Sequence, residues 1–222
     1  RTSSSAASDV YKRQTEYLVR TLESVHDQYL RTGKLVEAKA YLYEAIEVAE
    51  KNEHPRMLAL ALLSKAAFHI GLNEMKRAIE TLHRVESLTN QVGDFMSRVN
   101  FEVIWGEMYQ RSGQKEEAKE RFEKAHQIAM QGGENNLLLS LTGFKLGEME
   151  RKNKNFSAAK PLLEKALEIA EETGDLIGSI WIQEGLIKLA ITTEDYKSAF
   201  EHTRKVLLKN KLMKQKDLIE AC

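Results

Sequence analysis

A pattern that recurs five times along the chain limits the folds that the sequence can adopt. In each copy an alanine is followed four residues later by a larger side chain and seven residues later by a small or apolar one. The intervals between successive alanines are 40, 40, 41 and 40 residues. The alanines are Ala38, Ala78, Ala118, Ala159 and Ala199. A constant interval of this length indicates an array of one repeated supersecondary unit.

Each repeat is predicted to be a helical hairpin, because its apolar residues are spaced three or four apart. Short polar breaks divide each repeat and separate it from the next. Their glycines, asparagines and aspartates suit helix caps, and Pro55 suits a first helical position. The breaks within repeats are residues 32–34, 71–73, 112–114, 153–155 and 193–195, and those between repeats are residues 52–55, 92–94, 132–135 and 173–175.

A single hairpin cannot bury its apolar face, so neighbouring hairpins are expected to stack. The predicted fold class is therefore an all-α solenoid of stacked antiparallel helical hairpins. Asp94 and Asp175 are expected to cap first helices, and Asp217 resembles them, so we expect it to begin a sixth repeat. The five predicted repeats are residues 15–53, 54–93, 94–134, 135–174 and 175–213, and residues 214–222 form the partial sixth.

Pro161 is the local exception to the helical pattern. It lies several residues inside the predicted second helix of the fourth repeat. A proline there removes one backbone hydrogen bond and crowds the carbonyl four residues earlier. We expect a distorted first turn or a bend at this point.

The first fourteen residues do not share the repeat pattern. Residues 4–14, SSAASDVYKRQ, are polar and have no apolar core of the kind that a secretory signal needs. Back-translated in one frame, they resemble a sequencing-library adapter. We interpret residues 1–14 as a non-native, disordered tail that packs on nothing, with any helix limited to Asp9–Gln14. On this interpretation the chain is a fragment of a longer protein.

Composition argues against several classes of function. The chain has 33 basic and 33 acidic residues, and no basic block suggests nucleic-acid binding. No apolar run is long enough to suggest a membrane span. The single cysteine, Cys222, fits a reducing, cytoplasmic compartment. No phosphate-binding loop or zinc motif occurs, and the six histidines lack ligand spacing, so we expect no cofactor, no metal and no catalysis.

Two motifs carry a resemblance to a known family. Trp105-Gly106-x-x-Tyr109 precedes Ala118-x3-Phe122, and Leu146-Gly147 precedes Ala159-x3-Leu163. These motifs resemble the tetratricopeptide repeat over residues 16–211, which implies a right-handed solenoid. The period is longer than the usual ~34 residues of that repeat. It is similar to the long repeats of kinesin light chains and of bacterial regulators.

The resemblance also implies where a ligand would bind. In the family the first helix of each hairpin lines a concave groove that holds peptides. Trp105 occupies a packing position of the family motif, whereas Trp181 lies on the groove side of its helix. Glu23 and Asp27 replace the lysine and asparagine of the family's carboxylate clamp, which argues against that subtype. The groove candidates are Leu60, Leu63, Ala67, Val103, Phe144, Lys145, Arg151, Trp181 and Lys188.

The function predicted from the sequence is a scaffold that binds a protein or peptide in this groove, without binding nucleic acid or a membrane. Two alternatives remain open. The segment could be the sensory part of a bacterial transcription regulator or sensor kinase, or it could be an accessory region of an enzyme whose catalytic domain lies elsewhere.

Overall fold

The computed structural model describes residues 2–93, 95–132 and 136–220. This described part contains ten α-helices and no β-strand, which confirms the all-α prediction. The helices are α1 (Thr2–Arg31), α2 (Leu35–Lys51), α3 (Pro55–Gly71), α4 (Met75–Val92), α5 (Phe95–Arg111), α6 (Lys115–Gln131), α7 (Asn136–Lys152), α8 (Phe156–Glu172), α9 (Leu176–Thr192) and α10 (Tyr196–Glu220).

The chain divides into two compact units, an N-terminal unit (Arg1–Ala118) and a C-terminal unit (Lys119–Cys222). In the N-terminal unit α1 packs on α2 and α3 on α4, while α2 packs on α3 and α3 on α5. In the C-terminal unit α7 packs on α8, α9 on α10, and α8 on α9. Consecutive helices therefore form pairs, and each pair packs on the next within its unit, as the predicted stacking requires.

The alanines of the repeat pattern are fully buried where paired helices meet. Ala38, Ala78 and Ala159 have no exposed surface, and neither do Leu42 and Leu163 four residues after two of them. A methyl group lets two helix backbones approach closely, and the leucine one turn later fills the adjacent space.

The pair α7–α8 shows how close this approach is. A Cβ atom added to Gly147 on α7 would lie 2.7 Å from both Cγ and Cδ2 of Leu163 on α8. Leu163 is completely buried, so its side chain has no free space into which it could move. Only glycine fits at position 147 in this arrangement.

The turn inside every repeat has the same backbone conformation. One residue in each turn has a positive φ angle, and it lies one residue before the second helix's capping residue. These residues are Gly33 (φ 74°), Asn73 (φ 62°), Gly113 (φ 78°), Lys154 (φ 64°) and Glu194 (φ 61°).

Backbone hydrogen bonds close each of these turns. The amide of Lys34 donates to the carbonyl of Tyr29 at 3.0 Å, and the amide of Asp195 donates to the carbonyl of Ala190 at 2.8 Å. Equivalent bonds close the other three turns. This pattern is the Schellman motif, which favours glycine at the left-handed position because glycine has no Cβ atom to clash.

The N-terminal segment differs from its prediction. Helix α1 begins at Thr2, so the helix is not limited to Asp9–Gln14. The prediction that this segment packs on nothing is also wrong, because the Tyr11 hydroxyl donates to Oδ1 of Asn52. The physical reason is that no glycine or proline occurs before Gly33, so a helix nucleated in the first repeat can extend backwards. The adapter origin of residues 4–14 stays a prediction.

Helix ends were predicted with mixed success. Asp175 caps α9, since its carboxylate accepts a hydrogen bond from the amide of Gly178, and Pro55 occupies the first position of α3. Asp94 lies outside the described residues. Asp217 lies within α10, which runs unbroken to Glu220, so it does not cap a new helix. The run from Lys209 to Lys216 contains no helix-breaking residue that would end α10 before it.

Pro161 does not interrupt α8, which runs from Phe156 to Glu172. The backbone N–H that proline lacks would have bonded the carbonyl of Ser157. Ser157 and Pro161 are both exposed, so water can reach this end of the helix. The cost of the missing bond is lower there than in a buried turn.

We expect the substitution Gly147→Ala to lower the free energy of unfolding by about 1–3 kcal/mol, because its methyl group overlaps Leu163. The matched control is Gly143→Ala on the same helix. Its Cβ would lie 3.5 Å from the Cβ of Ala166, an ordinary contact, so helix propensity should stabilise that variant by up to about 1 kcal/mol. Urea unfolding of both variants checks the prediction, and equal stability of the two would contradict it.

We expect Glu194→Gly to raise the free energy of unfolding by about 0.5–1 kcal/mol, because the turn needs a left-handed residue that glycine adopts without strain. The reciprocal substitution Gly113→Ala should destabilise the protein by about 1 kcal/mol, since φ there is 78°. Thermal unfolding followed by circular dichroism measures both changes. A gain from Gly113→Ala would show that these turns do not require the left-handed conformation.

Candidate functional site

The groove candidates of the N-terminal unit differ in accessibility. Leu63 and Val103 are each only 4% exposed, so they belong to the core and present almost no side chain to a ligand. Leu60 is half-buried and packs against the core, and Ala67 is half-buried. Regular spacing identified one side of each first helix, but it could not separate its buried edge from its open edge.

The candidates of the C-terminal unit lie on two neighbouring helices. Phe144, Glu148 and Arg151 are spaced i, i+4 and i+7 on α7, so they share one side of that helix. Trp181, Gly185 and Lys188 have the same spacing on α9. We call these six residues, together with Lys145 and Lys152, the α7–α9 face.

The two helices meet at Gly185. A Cβ atom on Gly185 would lie 2.9 Å from Oε1 of Glu148 and 3.4 Å from Cε2 of Phe144. Phe144 also packs against the core cluster around Leu163 and Leu186. The absence of a side chain at position 185 therefore allows α7 side chains to lie directly against α9. This contact places Trp181 and Lys188 beside the α7 side chains of the face.

Trp181 is exposed over 49% of its surface, which is unusual for so large an apolar side chain. Trp105 is 8% exposed and stacks on Tyr109 in the N-terminal unit. Trp105 was predicted to pack and Trp181 to lie on the groove side of its helix, and the exposure of each side chain is consistent with these positions.

Arg151 is held in a fixed position by Glu148. Its Nε and Nη2 atoms donate to the two carboxylate oxygens of Glu148 at 2.7 and 2.9 Å. The Glu148 and Arg151 side chains are only 15% and 17% exposed. Such a bidentate pair fixes the guanidinium plane and leaves other N–H groups of Arg151 able to donate hydrogen bonds to a ligand.

Three cations act on this one carboxylate, namely Arg151, Lys152 and Lys188, and Lys145 acts in turn on Lys152. Burial acts to raise the pKa of Glu148, but the Arg151 hydrogen bonds and the charges of Arg151, Lys152 and Lys188 outweigh it and hold the pKa below its usual value. Burial lowers the pKa of Lys152, and the positive charges of Arg151, Lys145 and Lys188 add to the decrease against the attraction of Glu148. The face therefore holds an excess of positive charge, even with exposed Glu184 one turn before Lys188.

The described ranges give no sign of a metal centre or a membrane span. Among them, no three histidine, cysteine, aspartate or glutamate side chains come together as metal ligands could. No helix in these ranges combines the length and the apolar character needed to cross a bilayer.

The fold defines the class of protein: an all-α chain built from repeated antiparallel helix pairs. A family model described as tetratricopeptide repeat matches residues 100–172. The match covers about a third of the chain and agrees with the resemblance that its sequence motifs carry. The matched repeat and the helical-repeat fold support a role as a protein–protein interaction scaffold. A search of curated protein sequences found no significant match.

Solved structures with the same fold share little sequence with the chain. A signal transduction ATPase with a tetratricopeptide repeat sensor from Pyrococcus horikoshii has a TM-score of 0.66 at 15% identity, covering 93% of this chain and 32% of that one. A Rap protein complexed with competence and sporulation factor has a TM-score of 0.63 at 14% identity, covering 91% and 66%. Repeats of a Podosopora anserina protein described as a kinesin light chain have a TM-score of 0.55 at 19% identity, covering 86% and 94%.

These matches establish the fold of the chain. The chain spans about a third of the Pyrococcus ATPase and about two thirds of the Rap protein. The whole-protein activities of those relatives therefore do not transfer with the fold.

Three residues of the α7–α9 face, Glu148, Lys152 and Gly185, are not among the groove candidates predicted from the sequence. Glu148 is the anion that orients Arg151. The i, i+3 spacing of the two residues in the sequence indicates that they can pair on one side of a helix. Gly185 allows α7 and α9 to meet, but an isolated glycine inside a helical pattern does not reveal what it contacts.

We expect Glu148→Gln to lower the free energy of unfolding at pH 7 by about 1 kcal/mol, because Arg151 loses the carboxylate that it pairs with. The folded-state pKa of Glu148 is below the unfolded value, so this contribution is present above the unfolded pKa and is lost as pH falls through the folded pKa. Urea unfolding should show the gap between variant and parent closing as pH falls below about 4.

The matched control is Glu168→Gln, which removes the carboxylate of another i, i+3 pair. Glu168 and Lys165 are mostly exposed, at 54% and 64%, so we expect little change at either pH. A Glu148→Gln deficit that persists unchanged at low pH would show that packing, and not charge, accounts for the role of Glu148.

Proposed function

We propose that the chain is a non-catalytic scaffold that binds a protein segment carrying acidic and apolar side chains on the α7–α9 face. The observation that carries the proposal is the group of three cations around Glu148, Arg151, Lys152 and Lys188, next to the exposed Trp181 on the adjacent helix. The Rap protein with the same fold, solved in complex with competence and sporulation factor, supports the idea that such a fold can hold a bound factor.

The face contains the side chains that dominate most protein interfaces. Tryptophan and arginine are enriched among residues that contribute most of the binding energy. Trp181 offers apolar surface that is exposed in the described chain, so its burial by a partner would be favourable. Arg151 is already oriented by Glu148, so little side-chain entropy would be lost when it contacts a carboxylate.

The charge of the face determines the preferred partner. Positive charges from Lys145, Arg151, Lys152 and Lys188 outnumber the carboxylates of Glu148 and Glu184. An acidic segment would be attracted over a distance of about 10 Å at moderate salt, whereas a basic one would be repelled. We place this interaction in the cytoplasm, because the single cysteine suits a reducing compartment.

A second candidate function is that of a sensory segment in a longer signalling protein. The Pyrococcus horikoshii ATPase favours it, because a tetratricopeptide repeat sensor there belongs to a signal transduction protein. In that setting the same face would bind the signal, and an effector domain would respond. Sequencing the gene that encodes this segment, and testing whether it also encodes an effector domain, discriminates between the two candidates.

We expect Trp181→Ala and Lys188→Glu each to weaken binding of an acidic probe at least about fivefold, because each removes or reverses an exposed contact. The probe is a fluorescein-labelled peptide of alternating glutamate and leucine, and fluorescence anisotropy gives its Kd. These exposed positions are better choices than Phe144, whose truncation would also disturb the core. Raising the salt from about 50 to about 500 mM should weaken binding by the parent protein.

Lys165→Glu on α8 is the matched control for charge reversal. Lys165 is exposed and hydrogen-bonds only Glu168 in the described contacts, so affinity should stay within about twofold of the parent. The proposal fails if the two face variants bind as tightly as Lys165→Glu, or if a lysine–leucine peptide binds as tightly as the acidic one.

A further inference from the structure

The N-terminal unit contains a cavity of about 410 Å³ between α1, α3 and the turns that follow them. Its walls are mainly apolar and include Leu30, Leu35, Phe68 and Leu72. Leu35 and Leu72 are 45% and 40% exposed, so they form an open apolar rim. Phe68 is 6% exposed and forms part of the floor. The volume is large enough for one leucine or phenylalanine side chain of a bound peptide.

Two small residues keep the cavity open. Ala67 stands where the other four repeats have a charged residue, and Gly71 stands where three of them have arginine or lysine. A Cβ atom added to Gly71 would meet nothing within 4 Å. The residues at the Ala67 position are Asp27, Glu107, Glu148 and Lys188, and those at the Gly71 position are Arg31, Arg111, Lys152 and Thr192. The cavity is therefore a local feature of the second repeat, and the repeat pattern itself does not create it.

The floor of the cavity is rigid. The Nδ1–H group of buried His26 donates to the carbonyl of Ala38 at 2.8 Å, which ties α1 to α2. The His26 ring also lies 5.8 Å from the Phe68 ring in an edge-on arrangement. A site that is formed in advance loses little conformational entropy when a ligand enters.

The charge at the rim is negative. Asp27 is exposed and is the one charged side chain among the described residues that line the cavity. Glu23 lies one turn earlier on α1 and accepts a hydrogen bond from the hydroxyl of Ser64, another lining residue, at 2.9 Å. Burial raises the pKa of Glu23 above its usual value, and the neighbouring Asp27 charge acts in the same direction, against the Ser64 hydrogen bond and the Arg20 charge. A nearby cation would relieve this crowding of carboxylates.

We propose that this cavity binds an apolar side chain of a peptide whose neighbouring residue is lysine or arginine. The apolar side chain enters between Leu30, Leu35, Phe68 and Leu72, and the basic neighbour contacts Asp27. The charge preference is opposite to that of the α7–α9 face. The two sites are formed by different residues in different units, so either can fail without the other.

The test uses the full chain with ¹³C-labelled alanine and leucine methyl groups, titrated with short peptides and followed by NMR. The probe is acetyl-Lys-Phe-Lys-amide. Its binding should shift the methyl signals of Leu30, Leu35, Ala67 and Leu72. Replacing the phenylalanine of the probe by alanine should weaken binding at least about tenfold, and replacing both lysines by glutamate should weaken it about fivefold.

Two variants at one position provide the matched control. Gly71→Arg introduces the residue found at the same position in repeats one and three, so we expect the fold to tolerate it. The arginine side chain should fill the cavity and repel the lysines of the probe. We expect it to weaken binding at least about tenfold. Gly71→Ala adds a methyl group in open space and should stay within about twofold of the parent. Asp27→Asn should abolish the preference for lysine over glutamate while phenylalanine still binds.

Several results would overturn the proposal. They are equal binding by Gly71→Arg and Gly71→Ala, equal binding of the lysine and glutamate peptides, shifts confined to methyl groups outside the cavity, or no shift up to about 10 mM peptide. A change in self-association on Gly71→Arg would assign the cavity to a second copy of the chain instead. None of these results depends on the α7–α9 face, which is assayed separately through Trp181 and Lys188.

Discussion

The close approach of paired helices is the constraint on which the rest of the fold depends. It requires the smallest residues at the points of contact, and the chain provides an alanine there every 40 or 41 residues. Ala38, Ala78 and Ala159 are fully buried, and at Gly147 even a methyl group would overlap Leu163. Because the backbones meet at these points, the remaining apolar side chains are positioned around them and the helix pairs can stack.

The exposed sides of the first helices follow from this packing. Their buried edge is occupied by core residues such as Leu63 and Val103, and only a narrower edge remains for a ligand. On that edge the two units differ in charge and shape. The C-terminal unit places cations around Glu148 next to Trp181, whereas the N-terminal unit has an apolar cavity with Asp27 at its rim. One repeated architecture thus supports two chemically different surfaces.

Much of the fold could be predicted from the sequence, because it depends on local spacing. The position of each break is a property of single repeats, and the described helices begin and end close to the predicted breaks except at the start of α1 and the end of α10. The extension of α1 through residues 2–14 could not be predicted in this way, since a polar segment without glycine can continue a helix that neighbouring residues nucleate. The prediction that Asp217 caps a new helix was wrong for a related reason, because no helix-breaking residue precedes it and α10 continues through it.

The candidate site was harder to predict, because it depends on contacts between helices. Spacing placed Phe144, Arg151, Trp181 and Lys188 on comparable sides of their helices, but it gave no information on burial. Leu63 has the same spacing and is in the core. The role of Gly185 became visible only from the distances to Phe144 and Glu148 on α7. The cavity beside Ala67 likewise arises from the size of residues on α1 and α3 together.

The contact between Gly147 and Leu163 has an evolutionary consequence. The same pair of positions carries Ala66 with Leu82 in the second repeat and Ile187 with Thr203 in the fifth. Between the fourth and fifth repeats the residue of the first helix is larger and its partner is smaller, as expected of two positions that share one volume. The first repeat differs, because it carries the larger His26 with Leu42, and the His26 ring hydrogen-bonds the carbonyl of Ala38. Substitutions at these two positions should therefore occur together among relatives, and a change in one would select for a compensating change in the other.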